Sequence, residues 1–274
     1  MKISDALKES RNHIPINEAR ILLCYLMGQS IEYLIMNGEK ALGKGMMLEF
    51  KKLIERRKHK EPIAYITGIK EFYSHEFFVD QSVLIPRPDT ETLVESVIKY
   101  IQKNKLENSR ILELGIGSGC IALSILLECS NCSAIGVDIS LEAIEVAKKN
   151  IEKFNIDDRY KIIRSNWFEN VDEKFDIIIS NPPYIDKDDA DIMAEETYLH
   201  EPQLALFASN SGYEAFEKIA SSAKKYLNDN GKIFLEIGLG QCDKVRDIFL
   251  SEGLQYEDHV KDLSGIIRCL IFSL

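Results

Sequence analysis

The 274-residue chain predicts an α/β fold in which a doubly wound, mostly parallel sheet follows a small helical bundle. Three observations carry this prediction. Apolar residues recur at helical spacing up to about residue 60, without strand-like alternation. From Arg110 onward, strands and amphipathic helices alternate, which is the pattern of a parallel sheet covered on both faces. The last two strands are too close in sequence for a parallel crossover and must pair antiparallel.

In the first region Ala19, Leu22, Leu23 and Leu26, then Met47, Phe50, Leu53 and Ile54, fall on one helix face. Gly28, Gly38, Gly43 and Gly45 divide the region into several short helices. A bundle over residues 1–70 is too small to be a catalytic body, so a docking or substrate-recognition role is expected of it. Its basic cluster, Lys51-Lys52 and Arg56 to Lys60, reads as a solvated helix face with cations near the C-terminus. The aromatic and β-branched run that begins Phe72-Tyr73-Ser74-His75-Glu76-Phe77-Phe78 predicts a β-hairpin linker over 71–86. Pro86-Arg87-Pro88-Asp89 stops it, and Asp89 or Thr90 is placed to cap a helix from Glu91 to about Gln102.

The third region, 87–274, holds the expected strands Arg110–Leu114, Ser133–Asp138, Tyr160–Arg164, Phe175–Ser180, Lys232–Ile237, Gln255–Lys261 and Ile266–Phe272. Helical stretches such as Leu141–Phe154 and Tyr213–Leu227 separate the first five. Only Asp262-Leu263-Ser264-Gly265 separates the last two. A doubly wound sheet closed by such a hairpin is similar to the class I S-adenosylmethionine-dependent methyltransferase fold, a Rossmann-like α/β arrangement.

The composition is that of a globular protein, 45% hydrophobic and 28% charged, with a formal charge of −10. No apolar run approaches the ~20 residues that span a bilayer, and Met1-Lys2-Ile3-Ser4-Asp5-Ala6 lacks a signal-peptide profile. A cytoplasmic protein, monomeric and without a membrane or stable nucleic-acid partner, is the expectation. The acidic balance argues against affinity built on duplex phosphate. Cys129-Ser130-Asn131-Cys132 is a C-x-x-C with neither a second such pair nor a nearby His, so reduced structural thiols and no metal site are expected.

The first strand of the sheet runs into Glu113-Leu114-Gly115-Ile116-Gly117-Ser118-Gly119-Cys120. Glycines at a strand-to-helix turn let backbone approach a ligand with no Cβ in the way. A dinucleotide fingerprint would need Gly at position 120, which is Cys. The E-x-G-x-G-x-G run resembles instead an S-adenosylmethionine loop. That cofactor has no pyrophosphate; it carries a sulfonium and an amino-acid tail, near which the Glu113 carboxylate makes electrostatic sense. Asp138, ending the second strand, is placed to accept from both ribose hydroxyls, although Ser140 competes with it as a helix cap. Asn166-Trp167 follow the third strand at the same edge, where a flat aromatic side chain can pack on adenine.

The fourth strand is almost wholly apolar and ends in Asn181-Pro182-Pro183-Tyr184. The prolines fix φ and lack N–H groups, so the turn is rigid and offers acceptors. With the Asn181 side-chain carbonyl, it can hold both protons of a planar N–H₂ group. Amide nitrogen is a poor nucleophile because its lone pair is delocalised. Acceptors gripping both N–H bonds aim that lone pair at an incoming methyl and stabilise the charge growing on nitrogen. Tyr184 would pack over the flat group. By itself this motif leaves an amide and an exocyclic adenine amine equally acceptable.

Taken with Glu61-Pro62-Ile63-Ala64-Tyr65-Ile66-Thr67-Gly68, Lys70 to Tyr73, Leu84-Ile85-Pro86-Arg87-Pro88-Asp89-Thr90-Glu91, Glu201-Pro202-Gln203-Leu204-Ala205-Leu206 and Asp262 to Gly265, the chain resembles the HemK/PrmC family of protein-(glutamine-N5) methyltransferases. The resemblance spans nearly the whole chain, and Pro-Arg-Pro-Asp-Thr-Glu is its most specific part. It implies transfer of methyl from S-adenosylmethionine to the glutamine of the Gly-Gly-Gln loop of class I peptide-chain release factors. It also implies that the N-terminal bundle docks that factor. Carried over by position, Gly115, Ile116, Gly117, Ser118, Gly119, Asp138, Asn166, Trp167 and Asn181 bind the cofactor, and Asn181, Pro182, Pro183 and Tyr184 hold the glutamine. Asn166 stands where the family usually has Asp. Ala208 to Gly212 replaces a run richer in glycine and aspartate, and no role is assigned to it. An adenine-N6 DNA methyltransferase, a ribosomal-protein glutamine methyltransferase and a catalytically silent binding module are the alternatives. No glycine of the loop, nor Asp138 or Asn181, is lost, which argues against the silent module.

Overall fold

A computed structural model describes residues 1–274, except for the side chain of Ile192. The chain divides into two units, one of Met1–Ile69 with Ala194–His200, the other of Lys70–Met193 with Glu201–Leu274.

The first unit is helical: Ile3–Ser10, Ile16–Met27, Ile31–Met36, Lys44–Lys58 and Ile63–Thr67, with the short helix Glu195–His200. Its core gathers Ala19, Leu22 and Leu23 with Phe50 and Ile54, which are the residues that the 3.6 spacing places inward. Gly28 ends its helix in the left-handed conformation at φ +60. Gly45, expected to break a helix, instead lies in the first turn of Lys44–Lys58, where the penalty on a helical glycine is least felt. The basic cluster is largely neutralised by neighbouring carboxylates. Arg57 grips Glu18 with two hydrogen bonds of 2.7 and 2.8 Å and donates to Glu196 at 2.6 Å, while Arg56 pairs with Glu61.

The second unit opens on a hairpin of β1 (Ile69–Phe72) and β2 (His75–Phe78). Its two-residue turn, Tyr73-Ser74, has φ of +49 and +61, the primed geometry that matches strand twist. The hairpin is shorter than the 71–86 expected, and its Phe72 and Phe77 lie in the same buried apolar cluster as Ile111 and Ile177 of the sheet. Glu91 accepts from the Tyr73 N–H at 3.0 Å, tying the turn to the start of helix Glu91–Asn104.

The main sheet contains β3 (Arg110–Leu114), β4 (Ser133–Asp138), β5 (Tyr160–Arg164), β6 (Phe175–Ser180), β7 (Leu227–Glu236), β8 (Gln255–Lys261) and β9 (Ile267–Ser273), in the order β5-β4-β3-β6-β7-β9-β8. The first five are parallel; β9 pairs antiparallel with both β7 and β8. This is the class I methyltransferase arrangement. β7 begins five residues earlier than its apolar run, because Leu227 pairs with Phe175 before a bulge over the turn-forming residues 228–231. One apolar layer packs Leu123, Ile125 and Ile177 with Val97 and Ile101, the other Leu112, Ile178 and Ile233 with Phe216 and Ile219. Strand order reverses between β3 and β6, so a crevice opens at their carboxyl ends. Ser180 ties these two ends, its hydroxyl donating to the Leu114 carbonyl at 2.8 Å.

Candidate active site

A cavity of about 470 Å³ lies at that crevice, within the usual range for small-molecule sites. Its walls include Gly115, Ile116, Gly117 and Ser118 from the loop after β3, and Asp138 from the end of β4. Asn166 and Trp167 after β5, and Asn181 and Pro183 after β6, complete this set. Four chain segments far apart in sequence thus converge because parallel strands deliver their carboxyl ends to one edge.

The loop glycines are required by backbone conformation: Gly115 and Gly117 have φ of +71 and +52, with open space where a Cβ would project. Gly119, at φ +76, does another job. It is the left-handed N-cap of helix Cys120–Glu128, where a Cβ would make only ordinary contacts at 3.4 Å with Ala147 and Leu123, and it does not line the cavity.

Asp138 accepts from the Gly117 N–H at 3.0 Å through Oδ2 and from the Ser140 N–H at 2.9 Å through Oδ1. The Ser140 hydroxyl takes the capping role, accepting from the Ala143 N–H at 3.1 Å. The competition between the two residues is thereby resolved, and each Asp138 oxygen keeps a lone pair for a ligand. Burial pushes the Asp138 carboxyl up, against the backbone N–H bonds that hold its anion. Asn166 donates through Nδ2 to Glu169 at 2.8 Å, which leaves Oδ1 as its acceptor. Trp167 has φ +52, an uncommon conformation for so large a residue, and its ring packs on the apolar layer that includes Phe168 and Val171.

Glu113 lies elsewhere than expected. It is fully buried under the loop, where Oε2 accepts from Tyr160 Oη at 2.5 Å and from the Ala122 N–H at 3.2 Å. It does not line the cavity, and burial raises its carboxyl to about 8 despite those two bonds. Its inward direction follows from strand alternation: Leu112 and Leu114 face one layer, Glu113 the other.

In the Asn-Pro-Pro-Tyr turn the four side chains separate. Asn181 and Pro183 face the cavity, whereas Pro182 is buried outside its lining. Tyr184 is turned away as well: its ring packs beside the layer of Val245 and Ile237, and its hydroxyl lies 3.5 Å from Glu236 Oε1. Asn181 donates through Nδ2 to Thr90 Oγ1 at 3.2 Å, freeing Oδ1 to accept. The Tyr184 carbonyl accepts from Gln241 Nε2 at 2.9 Å. Gly212, at φ +85, passes so close that a Cβ would stand 2.4 Å from that carbonyl oxygen. The segment 208–212, which the sequence left without a role, therefore braces the turn.

Several residues that matter here carried only a faint signal: a polar side chain on an otherwise apolar face. Asn150, on the buried face of helix Leu141–Phe154, bridges the Phe78 backbone and the Ser118 carbonyl. Glu236 sits in an apolar central strand. Glu201, with a side chain 1% exposed, accepts from Arg87 at 2.5 Å and from the Ile85 N–H at 3.0 Å. Arg268 likewise joins Asp89 at 2.8 Å to Asp262 at 3.1 Å. The Arg87–Glu201 pair joins Pro-Arg-Pro-Asp-Thr-Glu to Glu-Pro-Gln-Leu, and Arg268, outside all three segments, holds Asp89 and Asp262 and so links Pro-Arg-Pro-Asp-Thr-Glu to Asp-Leu-Ser-Gly.

Among the described residues, no group of His, Cys, Asp or Glu is arranged to hold a metal, and no helix is long and apolar enough to cross a membrane. All six cysteines are free.

Residues 1–68 match the PrmC N-terminal domain and residues 89–209 the methyltransferase small domain. The chain is 47% identical over 298 residues to the bifunctional methyltransferase of Rickettsia felis, covering 99% of this chain and 56% of that protein. It thus spans about half the length of that relative. It is 38% identical over 260 residues to the release factor glutamine methyltransferase of Agrobacterium fabrum, covering 94% of this chain and 90% of that protein. A methyltransferase structure from Pyrococcus furiosus shares the fold, with a TM-score of 0.55 at 19% identity, over 82% of this chain and 97% of that one. With its glycine loop and its Asn-Pro-Pro-Tyr turn meeting at one cavity, the chain belongs to the release factor glutamine methyltransferase family.

Proposed function

We propose that the chain transfers a methyl group from S-adenosylmethionine to the side-chain amide nitrogen (N5) of the glutamine in the Gly-Gly-Gln loop of class I peptide-chain release factors. The observation that carries this is the presence of Asn181 and Pro183 on the wall of the same cavity as Gly115 to Ser118, Asp138, Asn166 and Trp167. The family's name supplies the substrate: the Agrobacterium relative is named for a release-factor glutamine.

The residues suit that cofactor. Asp138 offers two acceptors to ribose hydroxyls, Asn166 Oδ1 one to an adenine amino group, and the Trp167 ring a flat apolar surface. The loop glycines leave room for close backbone approach. When bound, S-adenosylmethionine supplies an electrophilic methyl on sulfur. Asn181 Oδ1, with the acceptor-only proline turn, holds both N–H bonds of the substrate amide and aims its nitrogen at that methyl. No general base is needed before attack, because the proton leaves the nitrogen after it has gained the methyl. The N-terminal helical unit serves to dock the release factor, and the protein acts in the cytoplasm as a monomer.

The test is transfer of labelled methyl from S-adenosylmethionine to purified release factor, beside its Gln→Ala loop variant and duplex DNA. Labelling of the intact factor alone is expected; labelling of DNA but not of the factor refutes the proposal. Asn181→Ala is expected to abolish transfer while cofactor affinity falls much less. Equal loss of both would assign Asn181 to the cofactor rather than to the nucleophile.

A further inference from the structure

Acceptors at Asn181 fix the N–H bonds of a substrate amide but leave the side chain that carries it free to swing about them. A flat apolar wall on one face removes that freedom. Tyr184 does not supply this wall. Its ring packs beside the layer of Val245 and Ile237, its carbonyl is engaged by Gln241 at 2.9 Å, and it does not line the cavity. The ring is also crowded on the side of Gly238, where a Cβ would stand 3.0 Å from Tyr184 Cδ2.

Among the described residues, two aromatic side chains do line the cavity, Trp167 and Phe207. Trp167 follows β5, and in the order β5-β4-β3-β6 that strand lies three spacings from the strand that leads into Asn181, roughly 14 Å at the usual separation. Phe207 is beside the turn. Ile185, the residue after Tyr184, donates its N–H to the Leu206 carbonyl at 3.1 Å and accepts from the Ala208 N–H at 3.0 Å. The two bonds make a parallel bridge between Ile185 and Phe207. Leu206 and Ala208 are buried, whereas Phe207 between them is half-buried and reaches the cavity. The other end of this segment is fixed at Glu201, whose buried carboxylate accepts from the Ile85 N–H and from Arg87. A ring on a segment pinned at both ends is pre-positioned, so a ligand that packs on it pays little for ordering it.

We propose that Phe207, rather than Tyr184, is the residue on which the target glutamine packs: its ring forms the apolar wall for the glutamine side chain while Asn181 Oδ1 holds the amide. Burial of the glutamine methylenes against the ring favours binding, and the wall narrows the directions from which the nitrogen meets the methyl. This rests on the proposed function, a protein glutamine held at Asn181.

A double-mutant cycle across the complex tests the assignment. Binding of release factor and of its Gln→Ala loop variant is measured with S-adenosylhomocysteine present, so that no methyl is transferred. Phe207→Ala should weaken binding of the intact factor roughly fivefold to fiftyfold and binding of the Gln→Ala factor by less than about twofold, the difference being the coupling of ring to glutamine. Phe207→Leu, which keeps the apolar volume and disturbs the fold less, should recover part of that loss. Cofactor affinity, followed by Trp167 fluorescence, should change by less than about twofold in both variants. Equal weakening toward both factors, or a matching fall in cofactor affinity, overturns the assignment. So does coupling found in Tyr184→Leu but not in Phe207→Ala. If wild type neither binds nor methylates the intact factor, the proposed function itself fails and the assignment falls with it. If wild type does both and the coupling is absent, the assignment alone fails.

Discussion

Asn150→Ala should show how strongly the cofactor loop depends on its support. Asn150 is fully buried. Its Oδ1 accepts from the Phe78 N–H at 2.7 Å, and its Nδ2 donates to the Phe78 carbonyl at 3.0 Å and to the Ser118 carbonyl at 2.9 Å. One side chain thus joins β2, helix Leu141–Phe154 and the glycine loop. Truncation removes three hydrogen bonds and leaves three backbone groups of a largely water-free region unpaired. At about 1 kcal/mol for each bond, the expected destabilisation is about 3 kcal/mol. In a unit of about 200 residues that corresponds to a fall in Tm of roughly 6–12 °C. The Ser118 bond also pre-orders the loop, so cofactor affinity should drop up to about fivefold, the equivalent of one lost hydrogen bond. Urea titration and thermal melting measure the first effect. Trp167 fluorescence on titration with S-adenosylmethionine measures the second, since Trp167 is the only tryptophan. An Asn150→Ala protein within 1 kcal/mol of wild type, with unchanged cofactor affinity, would refute the view that this side chain supports the loop.

Two further predictions come from backbone geometry and from burial. Gly212→Ala combines a Cβ 2.4 Å from the Tyr184 carbonyl oxygen with φ +85; it should cost roughly 1–3 kcal/mol and lower methyl transfer by displacing the turn, and a fully active, equally stable variant would refute the bracing role. Glu113 is held at about 8 by burial, above its ordinary 4.5; because the folded state binds this proton more tightly, its contribution to stability is complete below pH 4.5 and is lost as pH rises through about 8. Denaturation of wild type and Glu113→Gln across that window should show a shallower decline in the variant, and identical slopes would exclude Glu113 as a source of the decline.

The sequence by itself determined the fold class, the strands β3 to β6 and β8 at their observed bounds, the antiparallel closing pair and the bundle core. These follow from periodicity and connection length, which are local properties of the chain. It also placed Gly115 to Ser118, Asp138, Asn166, Trp167, Asn181 and Pro183 at strand ends, where a parallel sheet gathers them into one cavity. Tertiary structure alone decided which way individual side chains turn. Tyr184 and Glu113 carry obvious chemistry, yet both point into packed layers: strand alternation and layer contacts, not residue type, set their direction. Thr90 looks like a helix cap and serves Asn181 instead, because a partner 91 residues away comes within 3.2 Å only after folding. The bulge before Lys232 and the hairpin turn at Tyr73-Ser74 depend on register with neighbouring strands, which no short window contains. The supports Asn150, Glu201, Glu236 and Arg268 belong to the same class. Each pairs residues distant in sequence, and buried polar groups find such partners only when the whole sheet is assembled.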